Sequence, residues 1–150
     1  MMQNKKGIFC PKCGQYKNNR PVTVDSLIVK NNKILLVKRS GYPYKDYWAL
    51  PGGFVDRDET VEEAVCRETY EETGLTVIFL KLLGVYSSPD RHPKQLIAVL
   101  FFVKFTGVTK PGDDAAECKF FPLDSLPLPL AFDHEKMIKD YLGRKNESPR

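Results

Sequence analysis

Glu68, Glu71 and Glu72 lie within a single stretch of five residues, beside Arg67 and downstream of Glu59 and the pair Gly52-Gly53. At about 100° per residue, a helix through this stretch puts Glu68 and Glu72 about 40° apart on one face, with Glu71 about 60° to the other side of Glu68. Three carboxylates in one turn repel each other and weaken the helix unless a cation lies among them. Mg²⁺ suits that place, since it takes hard oxygen ligands, keeps several waters and is shared with substrate phosphates. Carboxylate and water ligands serve Mn²⁺ equally well. Arg67 reaches Glu63 or Glu71 at i±4 and can orient the cluster. On charge alone, the same residues read more readily as a solvated helix face.

The elements around the cluster follow from local signals. Thr60 with Glu63 three residues later forms a capping box, and Gly74 fits the position just past a helix end. Val61, Ala64 and Val65 recur at helical spacing and face the core. Upstream, Val22 to Val29 and Ile34 to Val37 read as strands joined at Asn31-Asn32, a hairpin. Ser40 to Tyr47 is an aromatic loop leading to Trp48 and the Pro51-Gly52-Gly53 turn. Leu75 to Tyr86 and Leu96 to Phe105 read as two further strands, and Lys119 to Pro122 as another. Asp133 is placed to cap a last helix carrying Met137, Ile138, Tyr141 and Leu142, closed by Gly143. Mixed strands with two helices define an α+β layered domain.

The full pattern is Gly53, five residues, Glu59, seven residues, Arg67-Glu68, two residues, Glu71-Glu72, one residue, Gly74-Leu75. It resembles the Nudix box. Thr69 stands where that box normally has an aliphatic residue, which predicts looser packing under the helix. The surrounding strand order resembles the whole Nudix domain over 21–143, with a basic segment at 1–20 and a polar tail at 144–150. The resemblance implies a Nudix-type α/β/α sandwich with a mixed sheet between helices. It also implies metal-dependent hydrolysis of a pyrophosphate linkage in a nucleoside diphosphate derivative. Glu68 and Glu72 match the main metal ligands, Glu71 a ligand to a further ion, and Gly52 the residue whose carbonyl ligates. Glu59 braces the loop while Arg67 holds a carboxylate by a bidentate pair. A carboxylate must accept the proton of the attacking water. Glu68 and Glu117 are the two candidates, with Asp113 and Asp114 close enough in sequence to compete.

Outside the box, four stretches resemble the ADP-ribose pyrophosphatase-type members: Trp48 to Val55, Gly84 to Arg91, Gly112 to Asp114, and Leu130 to His134. That subgroup cleaves ADP-ribose to AMP and ribose 5-phosphate. Such a substrate needs an aromatic surface for its base and cations for its diphosphate. Tyr42, Tyr44, Tyr47 and Trp48 offer the first; Lys38, Arg39 and Arg91 offer the second. Any one of these aromatics reads equally as core, and Lys38-Arg39 as an ordinary strand end. The rival reaction within the family is pyrophosphohydrolysis of a nucleoside triphosphate, as in removal of oxidised nucleotides. The Gln-Pro-Trp-Pro-Phe-Pro-like run typical of NADH pyrophosphatases is missing after the box.

The whole chain bounds these readings. Its 150 residues suit one domain. No apolar run approaches the roughly 20 residues that span a bilayer, and the first 20 residues lack the apolar region of a secretory signal. Cytoplasmic location is therefore expected. Residues 53–75 contain eight acids and two bases, a local charge of −6 within a chain of net charge +4. An acidic site in a basic protein suits a cation together with a polyanion. Cys10-Pro-Lys-Cys13-Gly resembles half a zinc ribbon, yet structural zinc needs four ligands, so a remnant knuckle is favoured over zinc shared in a dimer. Cys66 and Cys118 read as small buried hydrophobes, and His134 as structural. His92 lies in a loop able to touch substrate. Homodimers are common among the ADP-ribose-cleaving members. Two further classes remain: a regulator that binds a nucleotide sugar without cutting it, and a nucleic-acid binder built on the basic first 20 residues.

Overall fold

Apolar side chains on the central strands point to both faces of the sheet, so each face needs a cover. The computed structural model describes residues 8–110 and 115–146. A small hairpin comes first, β1 (Ile8–Cys10) and β2 (Gln15–Lys17). The main strands are β3 (Val22–Lys30), β4 (Lys33–Arg39), β5 (Trp48–Ala49), β6 (Gly52–Phe54), β7 (Thr76–Tyr86), β8 (Ile97–Thr106) and β9 (Ala115–Pro122). Helix α1 spans Val61–Thr73 and α2 spans His134–Asn146.

The main sheet runs β5-β4-β3-β8-β7, with β6 also on β3 and β9 also on β4. β3 lies parallel to β8 from Val22↔Ile97 to Ile28↔Val103, while β7 is antiparallel to β8. The sheet is thus mixed. The expected β3–β4 hairpin is present, turning through Asn31 and Asn32 at φ 52° and 60°. It is short, pairing only Val29↔Ile34 and Lys30↔Lys33, because β6 takes the other end of that edge at Thr23 to Asp25. β4 spends most of its length on β9 instead.

Two cores arise from the two-residue period of the strands. Leu27, Ile34, Leu36, Ala98 and Leu100 pack beneath α2 with Met137 and Ile138. Val24, Ile28, Leu35, Phe101 and Val103 pack beneath α1 with Ala64 and Val65. Neighbours along a strand therefore face opposite helices, which is the expected α/β/α sandwich.

Two boundary expectations change. α2 does not close at Gly143 but continues to Asn146, with Arg144 and Lys145 in its last turn, where cations suit the dipole. Asp133 does stand just before α2, but its carboxylate is taken by Arg91 rather than by the helix N-terminus. Among the described residues, no helix is long and apolar enough to cross a membrane.

Candidate active site

The capping box sets where α1 begins. The Thr60 hydroxyl accepts from the Glu63 N–H, and the Glu63 carboxylate accepts from the Thr60 N–H. At the other end Gly74 adopts φ 76°, a left-handed conformation that costs glycine little, and its N–H reaches the Tyr70 carbonyl. Between these stops Ala64, Val65, Thr69 and Thr73 are buried. Thr69 is fully buried beneath the helix. Its hydroxyl lies 2.5 Å from the Ser26 hydroxyl on β3, so a buried polar pair replaces the usual aliphatic contact.

Arg67 organises the acidic face. Its Nε and Nη2 donate to the two carboxylate oxygens of Glu59 at 3.0 and 2.6 Å, the bidentate pair expected of it. Nη2 also donates to the Phe54 carbonyl, and Nη1 to Glu68 at 2.8 Å and Glu71 at 3.2 Å. Glu63 is left to the capping box. The guanidinium contact holds the Glu59 carboxyl well down, at about 2. Glu59 also accepts from the Asp56 N–H, so the loop after β6 is braced from both sides.

The two glycines before the helix admit Glu68 and Glu72. A Cβ on Gly53 would stand 2.4 Å from the Glu68 carboxyl, so the side chain lies directly on the backbone there. The Gly52 N–H donates to Glu72 at 2.9 Å. Burial pushes Glu72 up to about 8, with Glu68 and Asp25 adding like charge. Burial also raises Glu68, against the pull of Arg67. Two desolvated carboxylates lacking enough positive charge fit a hard divalent cation in donor type. Glu71 is turned outward on Arg67, and among the described residues no three His, Cys, Asp or Glu side chains are gathered to hold an ion.

A cleft of about 430 Å³ opens beside this helix. Glu72, Gly52, Gly53, Arg39, Tyr42 and Phe132 are among the residues that line it. Arg39 donates to the Pro43 carbonyl, and its guanidinium lies 4.8 Å over the Phe132 ring. Tyr44 meets the same ring edge-on at 4.9 Å. Phe132 lines the cleft and holds φ 53°, unusual for an aromatic residue.

The expected substrate contacts divide. Arg39 lines the cleft, as does Lys38. Arg91 lines it too, but is buried and bidentate to Asp133 at 2.9 and 2.6 Å, so its charge is already matched. Trp48 is not among the cleft-lining residues: its ring packs on Phe121 at 4.7 Å against the core under α2, where β5 pairs with β4. Tyr47 packs edge-on against Tyr44 and is not among the cleft-lining residues. Glu117 is exposed on β9 opposite Lys38. Asp113 and Asp114 lie outside the described residues. His92 does line the cleft, with its Nδ1 accepting from the Lys94 N–H. Cys10 and Cys13 sit at the β1–β2 turn, and Cys66 and Cys118 are half-buried rather than buried.

Sequence reading passed over two cleft residues. Asp25 is a buried carboxylate in the middle of β3, pushed up to about 7 by burial. An acid within the apolar run Val22 to Val29 was the available signal. Phe132 had none beyond its place in the Leu130 to His134 stretch.

The chain belongs to the NUDIX domain family, whose model matches residues 19–141, and it is a Nudix hydrolase. Over 127 residues it is 58% identical to an ADP-ribose pyrophosphatase of Methanocaldococcus jannaschii, covering 83% of this chain and 75% of that protein. It is 32% identical over 139 residues to the ADPR responsive transcriptional repressor NtrR of Acinetobacter baylyi, covering 86% of this chain and 56% of the repressor. Among solved structures, the NUDIX domain of Shewanella oneidensis NrtR complexed with ADP ribose superposes with a TM-score of 0.80 at 28% identity, covering 92% of this chain and 94% of that one.

Proposed function

We propose that the protein hydrolyses ADP-ribose to AMP and ribose 5-phosphate, using Mg²⁺ or Mn²⁺. The observation that carries the reading is a single cleft lined by the buried carboxyls of Glu72 and Asp25, by Tyr42 and Phe132, and by Arg39, whose guanidinium lies over the Phe132 ring. That is what a molecule combining a diphosphate with an aromatic base requires. The 58% identity to an ADP-ribose pyrophosphatase supports the choice of substrate.

In this reading Glu68, Glu72 and the Gly52 carbonyl would hold the cation, and Glu71 would serve a further ion. A divalent cation bound there offsets the charge that builds on the phosphate oxygens. Arg67 keeps Glu59 and Glu68 in place. Arg39 lies against the diphosphate, held in direction by Phe132, and Tyr42 offers a face to the base. The oxygen of a water bonds to phosphorus as the bridging P–O bond breaks. The proton of that water passes to Glu68 or Glu117, and the bridging oxygen departs with one product phosphate. A cytoplasmic location and a homodimer belong to the same reading; cell fractionation and sedimentation check them.

The test is a Mg²⁺-dependent hydrolysis panel of ADP-ribose, other nucleoside diphosphate sugars, NADH, and normal and oxidised nucleoside triphosphates. Preference for ADP-ribose with AMP as product is the expected result. Preference for a triphosphate with release of pyrophosphate would replace the substrate. Tight ADP-ribose binding without turnover would instead align the protein with the repressor it resembles.

A further inference from the structure

His134 stands at the first position of α2, more than sixty residues after the acidic helix in sequence, yet its ring is buried against the loop that serves that helix. Its Nδ1 accepts from the Leu50 N–H at 2.9 Å. The ring proton therefore sits on Nε2, which faces the Asp25 carboxylate at 3.5 Å. The segment leading into α2 lies alongside Trp48: Leu130 bridges to Trp48 in parallel, and the Ala131 N–H donates to the Trp48 carbonyl. Where the backbone turns away into α2, the imidazole takes over and gives Leu50 its acceptor.

Leu50 leads directly into the three residues that seat the carboxylates. The Pro51 carbonyl accepts from the Ser26 N–H, the Gly52 N–H holds Glu72, and Gly53 lies against Glu68. Gly52 has no slack, since a Cβ there would come within 2.1 Å of the Val24 carbonyl oxygen. From the structure we infer that His134 is a positioning residue for the reaction centre: it fixes the Leu50–Gly53 backbone, and through it the Gly52 peptide and the two carboxylates. The inference rests on the metal site proposed above for its Mn²⁺ arm, and on ADP-ribose as substrate for its kinetic arm alone.

The test compares His134→Asn with His134→Gln. The Asn Oδ1 can stand where Nδ1 stands and still accept from Leu50; the longer Gln places its amide near Nε2 and leaves Leu50 without an acceptor. Mn²⁺ affinity is measured without substrate by electron paramagnetic resonance, alongside kcat, KM and Tm. Gln is expected to weaken Mn²⁺ binding by about 10–100-fold and to lower kcat similarly, with KM for ADP-ribose little changed. Asn is expected to recover most of both. Equal Mn²⁺ affinity in the two variants, whatever their Tm, would overturn the inference and leave His134 a stabilising residue only. Because the Mn²⁺ measurement needs no turnover, failure of ADP-ribose as substrate leaves this result readable.

Discussion

At Glu72, burial and the Gly52 N–H act against each other: one raises the carboxyl to about 8, the other favours its ionised form. Glu72→Gln keeps the shape and removes the charge. Turnover is expected to fall on the order of 10²–10³-fold, while Tm at neutral pH holds or rises because the cost of burying an ionisable carboxyl is gone; full turnover in the variant would displace the metal site. The two cleft arginines separate in the same way. Arg39 touches a carbonyl and a ring face, so Arg39→Ala is expected to raise KM for ADP-ribose about tenfold or more, with modest loss of stability. Arg91 is locked to Asp133, so Arg91→Ala is expected to cost about 3 kcal/mol in a denaturant titration by stranding that carboxylate.

β6 opens on two adjacent glycines with different neighbours. A Cβ on Gly53 meets only the end of the Glu68 side chain, which can swing aside, whereas one on Gly52 meets the Val24 backbone and Asp25. Gly53→Ala is therefore expected to fold with near-native Tm and lose about 10²-fold in kcat, since a misplaced group of about 1 Å is enough. Gly52→Ala is expected to lose about 1–3 kcal/mol of stability, as overpacking against backbone does. A thermal melt paired with a rate measurement separates the two; equal Tm values would contradict it. The limits of α1 were legible in sequence because capping box and glycine stop act within four residues. The end of α2 was not, since Gly143 continues the helix and takes no left-handed turn.

Across the whole molecule, the buried His134–Asp25 contact links α2 to β3 and gives the fold opposing responses to acid. Burial drives His134 down to about 3, against 6.5 when unfolded. As pH falls through that window the unfolded chain takes a proton that the folded chain refuses, so stability is lost toward acid. Asp25, at about 7 against 3.8, binds its proton in the fold first and loses stability as pH rises between those values. His134→Asn removes the first effect and keeps the second. The Tm of the variant relative to wild type is expected to climb as pH drops from 6.5 toward 4, and a constant difference would show that His134 is not held neutral.

The sequence alone determined everything that depends on near neighbours along the chain. Glu68, Glu71, Glu72 and Arg67 share a helix face, Thr60 and Gly74 bound it, and the spacing from Gly53 identifies the family. Tertiary structure decided what shares the cleft beside that helix: Asp25 from β3, Phe132 from the segment before α2, His134 from its first position, and Arg39 from the end of β4. It turned Trp48 toward Phe121 and matched Arg91 with Asp133, partners 73 and 42 residues away. Helix contacts at i+3 and i+4 are set by backbone geometry, whereas these pairings depend on which strands lie side by side. A side chain's type does not say whether its nearest partner will be a substrate or another part of its own chain.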